Sequence, residues 1–365
     1  MSFLPNKDIY KVWVFAPYLE TEDPTLKTYY DFTESKSEFN EVFSELNCEW
    51  EWVNITLNNL QQEIARVKAQ RVKQNIVLNL CDGDEINQVP GISVIHALKA
   101  NSITYTGSEA YFYDITTSKI PMKEAFDNYH VVTPRWEKLN GHIDPNLFKK
   151  VGNQIIVKPA VSGGSMGISL DNVVSDSEHL EKVLKRLRDG YKGWKLDEAG
   201  LLAEQFIVGR EFTVLLVGSY DHPECIKFYQ PMERVFHPSL PDKEQFLSFD
   251  RLWANYKEEA RMPNDEDLYE YAAVTDQTLV ERIKQLSLKA YASVRGTGYT
   301  RIDIRMDKNT GELYVLEVNA QCGLSKDENQ TCIGGILRLN GKTFTNLVVE
   351  ILDDALIRQP NPTRV

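Results

Sequence analysis

The run Arg301-Ile302-Asp303-Ile304-Arg305-Met306-Asp307, the linker Lys308-Asn309-Thr310-Gly311 and the run Glu312-Leu313-Tyr314-Val315-Leu316-Glu317-Val318-Asn319 decide how the chain is read. Both runs alternate polar and apolar residues, and the second is rich in β-formers, so each predicts a strand. Asn309, Thr310 and Gly311 are turn residues that join the strands as an antiparallel hairpin. Folded about Thr310, the hairpin sets Asp303 opposite Glu317 and Arg301 opposite Asn319. Side chains two apart share a face, so these four converge, while Ile302, Ile304, Leu316 and Val318 are expected to point into a core. Like charges directly opposed destabilise a hairpin, so the Asp303–Glu317 pair needs a cation. Two readings stand at this point. Asp, Glu and Asn oxygens suit Mg²⁺; alternatively, Arg301 and Arg305 neutralise the acids on a solvated face.

The chain has 365 residues, room for two or three domains. With 42% hydrophobic and 26% charged residues its composition is that of a globular protein. A formal net charge of -12 argues against a general nucleic-acid binder, so an anionic ligand must be met by a local basic or backbone-amide site. Cys48, Cys81, Cys225, Cys322 and Cys332 are scattered, which indicates neither a disulfide framework nor a zinc site. Met1 to Asp8 lacks the basic-then-apolar pattern of a secretory leader, and no apolar run is long enough to span a bilayer. A soluble, cytoplasmic protein without membrane partners is the expectation.

Val12-Trp13-Val14-Phe15 and Asn75-Ile76-Val77-Leu78-Asn79-Leu80 read as buried strands and Ser37 to Leu46 as a helix, the alternation of an α/β domain with a parallel sheet. Asp82, Asp84 and Glu85 follow the second strand, where parallel sheets bind ligands, so they are substrate candidates beside the alternative of a solvated loop. Ser118-Lys119 opens a helix, and Thr133-Pro134-Arg135-Trp136 reads as a linker. Gln154 to Pro159 is a strand carrying Lys158, followed by the Gly/Ser stretch Ser162-Gly163-Gly164-Ser165-Met166-Gly167. Glycines let backbone amides turn toward an anion and a nearby lysine adds charge, so the stretch reads as a phosphate lid or as an ordinary turn. Ser177 to Arg188 is an amphipathic helix, Leu201 to Leu216 two strands about a Gly209-Arg210 bend, and Leu279 to Val294 and Phe344 to Ile357 helices. Tyr229 to Asp267 holds no period and reads as a long functional loop; Gly323 to Gly335 reads as a polar loop.

Three segments, taken together, resemble the ATP-grasp ligases. They are Ile156-Val157-Lys158-Pro159 with its Gly/Ser stretch, Glu204-Gln205-Phe206-Ile207-Val208-Gly209-Arg210-Glu211-Phe212-Thr213-Val214, and the hairpin, in that family's order. Asn79-Leu80-Cys81-Asp82-Gly83, Tyr105-Thr106-Gly107-Ser108 and Thr117-Ser118-Lys119 resemble its D-alanine:D-alanine ligase branch. The resemblance covers the chain from about Asn75 onward. It implies an ATP-grasp fold with an N-terminal parallel-sheet domain (1–118), a small central domain (119–206) and a larger C-terminal domain (207–365). It implies ATP and Mg²⁺, with Mn²⁺ as a substitute, amino-acid-like substrates, and a homodimer as one assembly. Lys119 and Lys158 would meet phosphates beneath Ser162 to Gly167, with Ser165 and Gly167 at the reacting group. Glu204, Gln205, Phe206 and Ile207 would line the adenine slot and Glu211 would hold the ribose. Asp303, Glu317 and Asn319 would hold the metal, and Arg301 would lie over the acyl phosphate.

Departures concentrate on the substrate side. Ala16 to Glu22 does not match the family's N-terminal glutamate turn, Asp82-Gly83 stands where the family has His-Gly, and no proline follows Asn319. The family serine for the second substrate falls near Asp327 or Glu328, in a loop with Gly323 and Ser325. The expectation is therefore a carboxylate–amine ligase for substrates larger or more basic than alanine, beneath a lid carrying Arg234, Arg251, Trp253 and Tyr256. D-alanine:D-alanine ligation itself, or a nucleotide-binding protein that is non-catalytic or stops at phosphoryl transfer, are the alternatives.

Overall fold

A computed structural model describes residues 2–139, 143–252, 262, 266–329 and 331–359. The chain first builds a parallel sheet of order β2-β1-β3-β4 from β1 (Tyr10–Pro17), β2 (Glu49–Ile55), β3 (Gln74–Asn79) and β4 (Thr104–Tyr105). Helices α1 (Pro24–Tyr29), α2 (Thr33–Leu46), α3 (Leu60–Ala69) and α4 (Ile92–Ala100) connect these strands. β1 has neighbours on both sides and is covered on both faces, which explains its unbroken apolar run. β2 carries no such run because, as an edge strand, it fully buries only Val53 and Ile55.

Helices α5 (Ala110–Thr117) and α6 (Lys119–Asn128) lead to an antiparallel sheet of order β5-β8-β6-β7. Its strands are β5 (Trp136–Leu139), β6 (Ile155–Pro159), β7 (Val173–Val174) and β8 (Leu201–Gln205), with α7 (Leu147–Val151) and α8 (Ser177–Arg188) packed on it. The linker expected at Thr133 to Trp136 thus ends in a strand, Trp136 pairing with Glu204. α8 starts at an Asp176 cap that accepts from His179 N and buries Leu180, Val183, Leu184 and Leu187 along one stripe.

The third sheet has the order β12-β11-β9-β13-β14, with β10 on β9. It comprises β9 (Gly209–Ser219), β10 (Lys227–Phe228), β11 (Met232–Phe236), β12 (Tyr269–Ala273), β13 (Thr297–Asp307) and β14 (Leu313–Ala320). Helices α9 (Phe249–Leu252), α10 (Gln277–Ser293), α11 (Cys332–Leu339) and α12 (Phe344–Arg358) complete the chain. Two loop expectations are corrected. The Tyr229 to Asp267 stretch contains β11 and α9, hidden because β11 is short and interleaves Glu233 with Arg234. The Gly323 to Gly335 loop ends inside α11, whose Gly334 and Gly335 are there because added Cβ atoms would strike Asp327 O at 2.0 Å and Met232 Sδ at 2.7 Å.

The β13–β14 hairpin has the expected register from Thr300↔Ala320 to Asp303↔Glu317. A bulge then sets Ile304 opposite Val315, so Leu316 is the extra residue. Val315, fully buried, takes the core position assigned to Leu316, which is only half-buried. Asp307 Oδ1 accepts from Asn309 N and Thr310 N (2.8 and 2.9 Å) and closes the turn. One face of the third sheet packs on α6 and α10; the other shares a core with α2, α11, α12 and β1. Each large apolar side chain buried there contributes about 1.5–3 kcal/mol, so the N-terminal sheet and the hairpin are held in one continuous core. Among the described residues no helix is long and apolar enough to cross a membrane.

Candidate active site

The hairpin brings Asp303, Glu317, Asn319 and Arg301 to one face. Asn319 Nδ2 donates to Asp303 Oδ2 (3.1 Å) and reaches Glu317 Oε1 at 3.4 Å. Arg301 Nη2 donates to Asp303 Oδ2 (3.0 Å) and Thr213 Oγ1 to Asp303 Oδ1 (3.0 Å). Arg305 does not join them. Its guanidinium turns to Glu211, so of the two arginines on the neutralised-face reading only Arg301 meets an acid of the pair. Burial raises the pKa of Asp303, Arg301 opposing it; burial works the same way on Glu317, but Lys119 and Arg301 outweigh it and hold Glu317 low. One amide nitrogen within reach of both carboxylates means that a single cation reaches both, and the side-chain oxygen of Asn319 is available by rotation of the amide. Among the described residues no group of three His, Cys, Asp or Glu gathers; the donor set is two carboxylates and an amide, which fits a hard cation that keeps water and phosphate ligands.

Lys119 ties this face to the Gly/Ser stretch. Its Nζ donates to Ser162 O (3.0 Å) and lies 3.7 Å from Glu317 Oε2. Its backbone N donates to Ala160 O, and Ser118 bridges to Val161, so α6 begins against the root of the stretch. Gly164, Ser165 and Gly167 all have positive φ. At Gly167 an added Cβ would lie 2.6 Å from Leu196 Cδ1, so glycine is required there. Met166 is buried; a Cβ on Gly163 would make an ordinary contact, 3.8 Å from Met166 Cε. Ser165 Oγ donates to Leu247 O (3.1 Å) and Phe249 N to Ile168 O (2.8 Å), which fastens the stretch to the segment before α9. That segment belongs to the lid expected over Tyr229 to Asp267, whose Arg234 lies on β11. Arg251 is bonded there to Glu244, while Trp253 and Tyr256 lie outside the described residues.

Glu204 is the first of the residues expected along the adenine slot. It is 1% exposed and clamped by Lys158 Nζ (2.7 Å) and Lys123 Nζ (2.6 Å). Burial alone would raise its pKa, but the two lysines hold it down at about 2. Lys123, fully buried, was missed in the sequence; Lys119 and Lys123, one helical turn apart on α6, were the available signal. Gln205 Oε1 accepts from Arg135 Nε (3.1 Å), and Phe206 packs edge-on against Phe246 in a cluster with Ile156 and Ile168. The Ile207 carbonyl accepts from Arg305 Nη1 (2.7 Å). Glu211, assigned to ribose, accepts from Arg234 and from Arg305 Nε and Nη2 (3.2 and 3.0 Å).

The substrate candidates separate. Asp84 accepts from Asn87 N and Nδ2 (2.8 and 3.0 Å), and Glu85 Oε1 accepts from Gly91 N, Ser93 N and Ser93 Oγ at the start of α4. Both serve their own loop. Asp82 accepts from its own backbone N–H. Its side chain reaches solvent, yet the protein crowding its other sides, with Asp84 adding repulsion, pushes its carboxyl up to about 6. In the second loop, Gly323 is exposed and open, Ser325 Oγ donates to Glu38 Oε1 on α2 (2.8 Å), Asp327 N donates to Ser325 Oγ, and Glu328 lies 4.0 Å from Arg338. Burial pushes the Cys322 thiol up to about 12, which suits a core filler rather than a nucleophile.

Around the hairpin face six cations (Lys119, Lys123, Lys158, Arg234, Arg301, Arg305) stand against four acids (Glu204, Glu211, Asp303, Glu317), a local excess of two positive charges in a chain of net -12. A local positive excess of this kind can meet an anion. Comparisons with known proteins give the family. A family model, "D-ala D-ala ligase C-terminus", matches residues 124–353. The D-alanine–D-alanine ligase of Xanthomonas axonopodis pv. citri is 28% identical over 77% of this chain and 78% of its own length; that of Stutzerimonas stutzeri is 25% identical over 80% and 81%. Among solved structures, D-alanine–D-alanine ligase from Bacillus anthracis complexed with ATP superposes with a TM-score of 0.65 at 18% identity, covering 96% of this chain and 98% of that one. The enzyme from Coxiella burnetii gives 0.64 at 14% identity, covering 96% of each chain. With the family model matched over more than half its length, the chain belongs to the D-alanine–D-alanine ligase family of ATP-grasp enzymes, ATP-dependent ligases that form carbon–nitrogen bonds.

Proposed function

We propose that the chain uses ATP and Mg²⁺ to activate an amino-acid carboxylate as an acyl phosphate and joins it to the amine of a second amino acid. The observation that carries this is Lys119, whose one ammonium meets both the Gly/Ser stretch at Ser162 and the metal-side carboxylate Glu317. A phosphate at that point has a lysine, a lid and a cation site around it. Asp303, Glu317 and Asn319 would hold the ion, which when bound neutralises charge on the phosphate oxygens. Lys119 and Lys158 orient the terminal phosphate, and the lid excludes water from it. Arg301, kept in place by Asp303, supports the oxyanion when the amine attacks the acyl carbon. The ligase chemistry so drawn uses no enzyme nucleophile. The domain division at about residues 118 and 206 belongs to the same proposal.

For the substrates, the relatives act by name on D-alanine. The case for a larger or basic substrate weakens at the first loop, since Asp84 and Glu85 are engaged within it. Asp82 there, with Asp327 and Glu328 in the second loop, carries what is left of it, and D-alanine fits no worse. The test is a screen of single and paired amino acids, D-alanine first, following ADP release and product mass. The proposal expects ADP together with a condensed product. ADP without a joined product would replace it with a kinase, and no ADP with any amino acid would end it.

A further inference from the structure

Two residues beyond Asn319, Gln321 turns into the left-handed region at φ +51° while 1% exposed. A residue with a side chain keeps such a conformation only where its surroundings over-determine it. Here the carboxamide does so. Gln321 Nε2 donates to Cys81 O (2.9 Å), and Oε1 accepts from Ser108 N (3.2 Å) and Ser108 Oγ (2.8 Å). A carbonyl only accepts and an amide N–H only donates, so these partners fix which way the group points. Cys81 and Ser108 lie in the loops that follow β3 and β4, the ligand edge of the parallel sheet.

The neighbours show how close this junction is. A Cβ on Gly107 would lie 2.7 Å from the Gln321 side chain, and one on Gly298 would lie 2.2 Å from Gly107 O. Glu109 N donates to Thr297 Oγ1 (2.8 Å) at the first residue of β13. Both N-terminal loops are thus fastened to the two ends of the metal hairpin, one at Thr297 and both at Gln321.

We propose that Gln321 is a positioning residue that holds the Cys81–Gly83 loop, with Asp82 and the carboxylate substrate, in register with Asp303, Glu317 and Asn319. The claim rests on the ligase reading above. A side chain that merely filled space would be replaceable by methionine of the same length. Gln321→Glu separates the two bonds: it removes the donor to Cys81 O and keeps an acceptor for Ser108.

The test is amide hydrogen exchange on the full chain, ATP–Mg²⁺ affinity by calorimetry without amino acid, and steady-state kinetics with D-alanine as the probe. Gln321→Met is expected to raise exchange about tenfold in 81–91 and in 106–109, as for one lost buried bond. Gln321→Glu is expected to raise it in 81–91 only. In both variants ATP affinity and KM for ATP stay within about twofold, while kcat/KM for D-alanine falls about tenfold. Unchanged exchange in both variants, or an ATP affinity that falls as far as kcat/KM, overturns the proposal. If the wild type does not turn over D-alanine, the substrate reading falls, and exchange with nucleotide affinity still decides Gln321. If Gln321→Met does not fold, Ser108→Ala replaces it; exchange must then rise at 106–109 alone, and no rise there counts against the proposal.

Discussion

Glu204 shows what a residue's neighbours do to its charge. Its position in the Glu-Gln-Phe-Ile run suggested a nucleotide edge, and Lys123 and Lys158 close on its two oxygens. The folded pKa of about 2 lies below the unfolded 4.5, so the stabilisation, roughly 3 kcal/mol, is fully present above 4.5 and is lost as pH falls toward 2. Acid denaturation of Glu204→Gln is expected to lack this component, giving a flatter stability curve between those values; a curve parallel to wild type would remove Glu204 from the account. Glu317 sits between opposing charges. Its removal relieves repulsion with Asp303 but also takes away the partner of Lys119, so Glu317→Ala is expected to fold with a modestly lower melting temperature while turnover falls about 10²–10³-fold. Loss of fold, or retained turnover, argues against a metal ligand. The Asp303–Glu317–Asn319 set was legible because strand alternation decides which side chains share a face. Gln321 was not, since it lies just past β14 and its partners are in the loops after β3 and β4; Lys123 left only its one-turn spacing from Lys119 on α6, which does not name Glu204 as its partner.

At the level of elements, the hairpin was readable from alternation and turn residues down to its register at Asp303. The bulge beyond it was not, because one extra residue leaves no mark in the hydrophobic pattern, and Leu316 and Val315 exchange places. The segment from Asp242 to Leu252 looked structureless because its order comes from tertiary contacts. Arg305 reaches the Gln245 and Ile207 carbonyls, Phe246 meets Phe206, and Phe249 is buried against Tyr29 and Trp194. Arg305 therefore clasps the segment to the β8–β9 connection, with the Gly/Ser stretch attached through Ser165. Arg305→Met keeps the length of the side chain and removes the clasp. We expect KM for ATP to rise about tenfold with kcat little changed. An equal loss in kcat would mean that Arg305 serves the chemical step instead.

Across the whole molecule, three sheets meet at one face and the N-terminal sheet shares its core with the hairpin sheet. The ATP-grasp architecture was legible because the Gly/Ser stretch, the run from Glu204 to Val214 and the β13–β14 hairpin occur in that family's order. Substrate identity was less so, because acids in a loop look alike until their partners are known: Asp84 and Glu85 serve the loop and α4, and Asp82 stands apart. A chain that binds ATP–Mg²⁺ in this cleft should melt higher by an amount set by the ratio of ligand to Kd, about 2.7 kcal/mol at a hundredfold excess. No shift at millimolar ATP–Mg²⁺ would contradict the nucleotide site.

In the proposed reaction a carboxylate oxygen attacks the terminal phosphate of ATP and leaves with it when the amine displaces it. Turnover of D-alanine labelled with ¹⁸O in its carboxylate, followed by mass analysis of the released phosphate, tests that transfer directly. The account predicts one labelled oxygen in each phosphate and a condensed product in equal amount. ADP formed with unlabelled phosphate would show that water rather than the carboxylate receives the phosphoryl group, and would contradict that transfer.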